Sequence, residues 1–176
     1  MKIFRTCLAV AVFLTATIAG ARGTLADINN YWSSPGAGCV PVDDAIQGDL
    51  YLVAAGSVKH DSDSTGIVIV SCPISRNADV TNPTDLYLSF ADSSTTANNY
   101  VKATLWKKNR STATVTSLAS ITSDSFDPVG DTQASVFFSH TFDFNLNYYY
   151  IYGEFNRTTT STTETLQGVA LGFEFE

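Results

Sequence analysis

Asp61, Asp63, Thr65 and Gly66, in the segment KHDSDSTGIVIVSCP, have the spacing of positions 1, 3, 5 and 6 of a calcium loop. Such a loop gathers hard oxygen ligands around one cation, turns on a glycine and closes with a carboxylate near position 12. Position 12 here is Cys72, which is no calcium ligand, and the flanks read as strands where helices are required. The stretch is expected to be a polar link between two strands, with Gly66 at a positive φ. A surface calcium site on Asp61, Asp63 and Thr65 is the chemical alternative. A second acidic loop, SDSFDPVGD, carries Asp124, Asp127 and Asp131 and would strengthen that alternative if the two loops met.

Aromatic residues offer a second kind of chemistry. The segment YYYIYGEF puts Tyr148, Tyr150 and Tyr152 on one face of a strand and Tyr149, Ile151 and Phe155 on the other. An exposed row of tyrosines stacks on sugar rings or forms a subunit interface. If the strand is central and covered, the same row is ordinary packing under a loop or under Tyr31 and Trp32.

Catalytic signatures are missing from the sequence. It contains no G-x-S-x-G elbow, no H-E-x-x-H and no phosphate-binding loop. His60 is expected at a solvated strand end, and His140 on a core face with Val136, Phe138, Phe142 and Phe144. The strand carboxylates Asp143, Glu154, Glu174 and Glu176 form no evident pair across a cleft. No catalytic residue is assigned, and a secreted enzyme of unknown class is the minor alternative.

These residues must be held by strands. Past residue 21 the apolar pattern has period two and no helical stripe. About eight strands are expected, from YLVAAGSVKH, GIVIVSCPI, DLYLSF, YVKATLWKK, TATVTSLASIT, ASVFFSHTFDF, NYYYIYGEF and LQGVALGFEFE. The run GIVIVSCPI is expected to be central and covered on both faces. YVKATLWKK puts Val101, Ala103 and Leu105 on one side and Lys102, Thr104 and Trp106 on the other. Links rich in Gly, Pro, Asn, Asp, Ser and Thr separate them. The expected class is all-β: a single β-sandwich or jelly-roll-like domain of antiparallel strands.

The amino terminus reads as an export signal. Lys2 and Arg5 precede the apolar run CLAVAVFLTATIAG, and Ala19-Gly20-Ala21 offers a small-residue cleavage pattern. The expected layout is a signal over 1–21, a flexible segment over 22–38 and the β-domain over 39–176. Cleavage would leave eight basic against seventeen acidic residues, a charge of −9. That balance disfavours nucleic acid and anionic membrane surfaces as partners. The one basic cluster, KKNR at Lys107–Arg110, reads as a solvated loop tip. An exported chain with two remaining cysteines, Cys39 and Cys72, is expected to join them in a disulfide. Asn109-Arg110-Ser111 and Asn156-Arg157-Thr158 are formal glycosylation sequons in turns.

The pattern CVPVDDAIQGDLYLVAAGSVKHDSDSTGIVIVSCPI, followed by LYLSF and LQGVALGFEF, resembles a group of small exported bacterial proteins. They share a Cys-x-Pro start, an apolar strand ending in Cys-Pro and a closing Gly-Val-x-Leu strand. The resemblance implies a secreted β-sandwich with Cys39 bonded to Cys72, and supplies no activity. A weaker likeness is to chaperone–usher pilin subunits, in length, cysteine spacing and the next-to-last aromatic Phe175. The segment TLADINNYW alternates poorly for a donated strand. The function expected is an extracellular binding module for a glycan or protein partner, or a self-associating structural subunit of a surface layer or fibre. Secreted, periplasmic or cell-surface placement goes with it. No cofactor is expected beyond the calcium alternative, and no membrane insertion.

Overall fold

The computed structural model describes residues 32–43, 47–74, 82–126 and 130–173. Eleven strands run through them: β1 (Trp32–Pro35), β2 (Val40–Pro41), β3 (Tyr51–Ala54), β4 (Ser57–His60), β5 (Gly66–Cys72), β6 (Asp85–Asp92), β7 (Tyr100–Asn109), β8 (Val115–Thr122), β9 (Gly130–Phe137), β10 (Asn147–Arg157) and β11 (Glu164–Gly172). They form two antiparallel sheets of a β-sandwich. The first sheet has the order β3-β4-β11-β6-β9, and β1 also pairs with β11; the second has the order β2-β5-β10-β7-β8.

Strict alternation builds the core. From the second sheet, Val68, Val70, Val101, Ala103, Leu105, Ile151 and Phe155 point inward, each fully buried. Leu86, Leu88, Phe90, Val58, Leu166 and Leu171 meet them from the first. A bulge between Leu166 and Gly168 inserts one residue into β11, so Leu166 and Val169 both face in. Gly153 lies between Ile151 and Phe155, where a Cβ would stand 2.4 Å from Leu166 Cδ2 and 3.0 Å from Val70 Cγ2. A strand glycine here lets the two sheets close on each other.

The disulfide joins Cys39 to Cys72 with Cα atoms 4.1 Å apart. Both residues are buried, so the bond ties the start of the domain to the end of β5 inside the core.

Three expectations are corrected. The run YLVAAGSVKH is a hairpin, not one strand: Ala55 and Gly56 take φ of 50° and 85°, the two positive values a tight hairpin turn needs. The strand β5 is covered on one face only. Ile67 is 48% exposed on the other, and β2 pairs with β5 through just Val40 and Pro41. The row Val136 to Phe144 does not share one strand face, because β9 stops at Phe137. Beyond it the chain turns irregular, with Asn82 Oδ1 accepting from Phe142 N at 3.1 Å and Asp143 Oδ1 from Asn145 N at 2.9 Å. Phe142 and Phe144 instead pack on the Trp32 ring, at 5.1 and 5.5 Å between centroids.

Trp32 is therefore core and not a cover for the tyrosine row. The expected flexible segment ends in order: Trp32–Pro35 is β1, and Gly36–Gly38 is a 3-10 turn. The expected signal over 1–21, the rest of the amino-terminal segment with Tyr31, and Asp127, Glu174, Phe175 and Glu176 lie outside the described residues.

Candidate functional site

The strand β10 is the longest, and its alternation decides where the tyrosines go. Ile151, Gly153 and Phe155 face the core, so Tyr148, Tyr150, Tyr152 and Glu154 face outward. Tyr148 is 54% exposed; Tyr150 and Tyr152 are half-buried, with ring centroids 4.9 Å apart. Antiparallel pairing with β7 sets Tyr150 opposite Trp106, Tyr152 opposite Thr104, Glu154 opposite Lys102 and Tyr148 opposite Lys108. Directly opposed residues are neighbours on one face, with Cβ atoms about 5 Å apart. The outer face of the second sheet thus carries a platform of Trp106, Tyr150, Tyr152 and Tyr148, bordered by Ser and Thr of β8. The Arg110 guanidinium lies over the Tyr148 ring, 4.3 Å from its centroid.

At the other end of the platform the Tyr100 hydroxyl donates to the Glu154 carboxylate. Burial, then that hydrogen bond and the nearby carboxylate charge, push the Tyr100 phenol far up. Burial also raises Tyr150, with Tyr152 adding to the effect. Both phenols stay neutral at ordinary pH. Flat rings fringed by neutral hydroxyls suit stacking and hydrogen bonding to another hydroxylated molecule.

Trp106 was legible only as an outward residue of its own strand. Its place beside Tyr150 depends on the β7–β10 register, which no local pattern contains.

The acidic loop has a different centre. Arg157, at the end of β10, is 5% exposed and donates to the carbonyls of Asp61, Ser62 and Ser64, with Nε to Ser64 O at 2.8 Å. Nη1 reaches Thr162 O at 3.4 Å. The loop does wrap oxygens around a cation, but they are backbone oxygens and the cation is the chain's own guanidinium. Asp63 and Thr65 are exposed, and among the described residues the Asp61 carboxylate accepts only from Ser62 Oγ, at 3.2 Å. Among the described residues no three His, Cys, Asp or Glu side chains gather to hold a metal. Asp131 binds Gln167 Nε2 at 2.6 Å, and Asp124 sits by Asp92 on the β8–β9 side.

His60 is buried, not solvated, at 3% exposure. Its ring meets Phe155 edge-on at 4.9 Å, and Nε2 contacts Gly66 O at 2.9 Å, which fixes the proton on Nε2. His140 is partly buried against Phe142, with Nε2 3.0 Å from the Tyr149 hydroxyl. Both imidazoles are held below their usual range, chiefly by burial.

One step past the last β4–β11 pair, His60 stands opposite Glu164, and Glu164 opposes Asp92 on β6. Glu164 is 1% exposed, and among the described residues neither carboxylate oxygen has a hydrogen-bond partner. The nearby Thr162 hydroxyl favours the anion, yet it donates to Thr159 O at 3.3 Å. Burial dominates and raises Glu164 above its ordinary 4.5, with Asp92 also raising it and Arg157 opposing.

The pH consequence has a definite sign. A raised folded pKa gives stability that is complete below the unfolded value and is lost as pH rises through the folded one. Glu164→Gln removes that loss. The variant is therefore expected to gain stability over the parent as pH rises above 4.5, and to show no gain well below it. Urea midpoints of both proteins at acid and neutral pH measure this. An unchanged difference across that range would contradict the raised pKa.

No protein-family model and no curated protein matches this sequence. Among solved structures the chain is similar to a secreted serine protease, VesC from Vibrio cholerae, at 9% identity and a TM-score of 0.36. The match covers 78% of this chain and 29% of the protease, so the chain spans less than a third of that protein's length.

Proposed function

We propose that this chain is an exported, non-enzymatic β-sandwich module that binds a glycan on the outer face of its second sheet. One observation carries the reading: Tyr148, Tyr150 and Tyr152 line one outward face, and register places Trp106 beside Tyr150. Rings in a row offer apolar area at low entropy cost, because each is fixed by only two side-chain torsions. The carboxylate on that face, Glu154, is engaged by Tyr100 and opposed by Lys102, so it positions the platform.

Affinity electrophoresis through gels containing a panel of soluble polysaccharides tests this. At least one polysaccharide is expected to retard the protein. Tyr150→Ala is expected to weaken that retardation roughly fivefold, since each stacking ring contributes about 1 kcal/mol. A panel that retards nothing, or a variant that runs with the parent, would sink the reading.

A self-associating structural subunit is the second reading. Val40, Val42 and Ile67 are each about half exposed along the short β2 edge, which suits contact between copies. Light scattering after size exclusion that shows a monomer at high concentration argues against it.

A further inference from the structure

We infer that the aromatic face selects an acidic glycan, one bearing uronate carboxylates, and that Arg110 and Lys108 beside Tyr148 are its anchor. The inference rests on the glycan reading of the same face and adds the charge of the ligand.

The chain as a whole is acidic, with a formal charge of −7. The outer face of the second sheet runs against that balance. Its outward strand residues include Lys102 and Lys108 on β7, and the β7–β8 turn adds Arg110. Glu154 is the one acidic residue among those outward strand positions, and Lys102 opposes it directly. Lys108 and Arg110 are left over, both exposed, and neither makes an ion pair or a side-chain hydrogen bond among the described residues.

Arg110 is also held in place. Its guanidinium stacks on Tyr148, and its amide donates to Leu146 O at 2.9 Å. Stacking fixes a flexible side chain without using its N–H groups, so the fork remains free for a ligand. A planar carboxylate matches that fork with two parallel hydrogen bonds, which a single ammonium does not provide. The carboxylate would sit at the end of the ring row, in line with Tyr150 and Trp106. A sugar stacked on those rings could extend an acidic neighbour to the Arg110 corner. Screening limits the rest of the protein's negative field to about 10 Å at ordinary salt, so the local pair of cations governs the final contact.

Isothermal titration of the whole mature chain with an oligogalacturonate and a neutral cello-oligosaccharide of equal length tests the inference. The oligogalacturonate is expected to bind roughly tenfold tighter at about 0.1 M salt, where the net negative field is screened, and the preference is expected to shrink as salt rises further. Arg110→Ala should weaken oligogalacturonate roughly fivefold, and by clearly more than it changes the neutral chain. Arg110→Lys should recover only part of the loss, because charge returns and the fork does not. Equal affinity for the two chains, or a preference that survives Arg110→Ala with Lys108→Ala, overturns the inference while the platform reading stands. A sulfated chain of equal length that binds more tightly overturns the carboxylate assignment. If neither chain binds while a polysaccharide of the panel retards the protein, the inference is overturned and the platform reading stands; if nothing in the panel retards it either, both fall.

Discussion

Alanine at position 36 is expected to cost about 3 kcal/mol or more, although it adds a single methyl group. Gly36 opens the turn after β1 and is buried. A Cβ there would stand 2.1 Å from the Leu166 carbonyl oxygen and 3.1 Å from Ser57 Cα. Both obstacles are backbone. Leu166 is the last β11 residue paired with β4, and Gly168 is the first paired with β1, so the turn is wedged where one edge of β11 passes between two partners. The amide of Ala37 also donates to Gly56 O at 2.9 Å, pinning the turn to the β3–β4 hairpin. A methyl group must push β4 or β1 away from β11. Gly153 is a gentler case, since its nearest neighbour is the tip of a leucine side chain. For a domain of this size the loss corresponds to a melting point lower by roughly 6–12 °C. Urea unfolding should show a lower midpoint at an unchanged slope. Gly38→Ala is the control: its nearest obstacle is the Ser34 hydroxyl at 3.2 Å, so little change is expected. A Gly36→Ala midpoint equal to that of the control would refute the wedge.

Removing the disulfide is expected to cost a similar amount through the other end of the equilibrium. Cys39 and Cys72 are 33 residues apart, and a loop of that length restrains the unfolded chain by about 3–4 kcal/mol in the entropy model. A Cys39→Ala, Cys72→Ala double variant removes the bond without leaving a buried hydroxyl. Both sites are buried, and Cys72 lies beside Gly153, so a small packing loss adds to the entropic one. The slope distinguishes the two effects. A freed unfolded chain exposes more surface, so the urea slope should rise, whereas Gly36→Ala leaves it alone. A double variant with the parent's midpoint and slope would show that the bond is stability-neutral.

Period-two alternation separated Val101, Ala103 and Leu105 from Lys102, Thr104 and Trp106, because side-chain direction along a strand is local geometry; the structure turns the first set into the core. The same reasoning failed at Phe138–Phe144. Apolar spacing alone cannot distinguish a strand from an irregular segment whose rings pack on Trp32, more than a hundred residues earlier. It failed at Ala55-Gly56 too, since alanine rarely takes the positive φ that a tight hairpin demands.

The site divides in the same way. By itself the sequence determined the all-β class, the pairing of its two later cysteines and the two faces of the tyrosine strand. Those are matters of composition and local period. The tertiary structure decided the rest. Register set Trp106 beside Tyr150, a turn laid Arg110 over Tyr148, and strand order brought Arg157 to carbonyls almost a hundred residues away. The half calcium loop shows why. Its Asp63 carboxylate is exposed, and the charge that fills it arrives from β10, as a contact that only the closed sandwich creates.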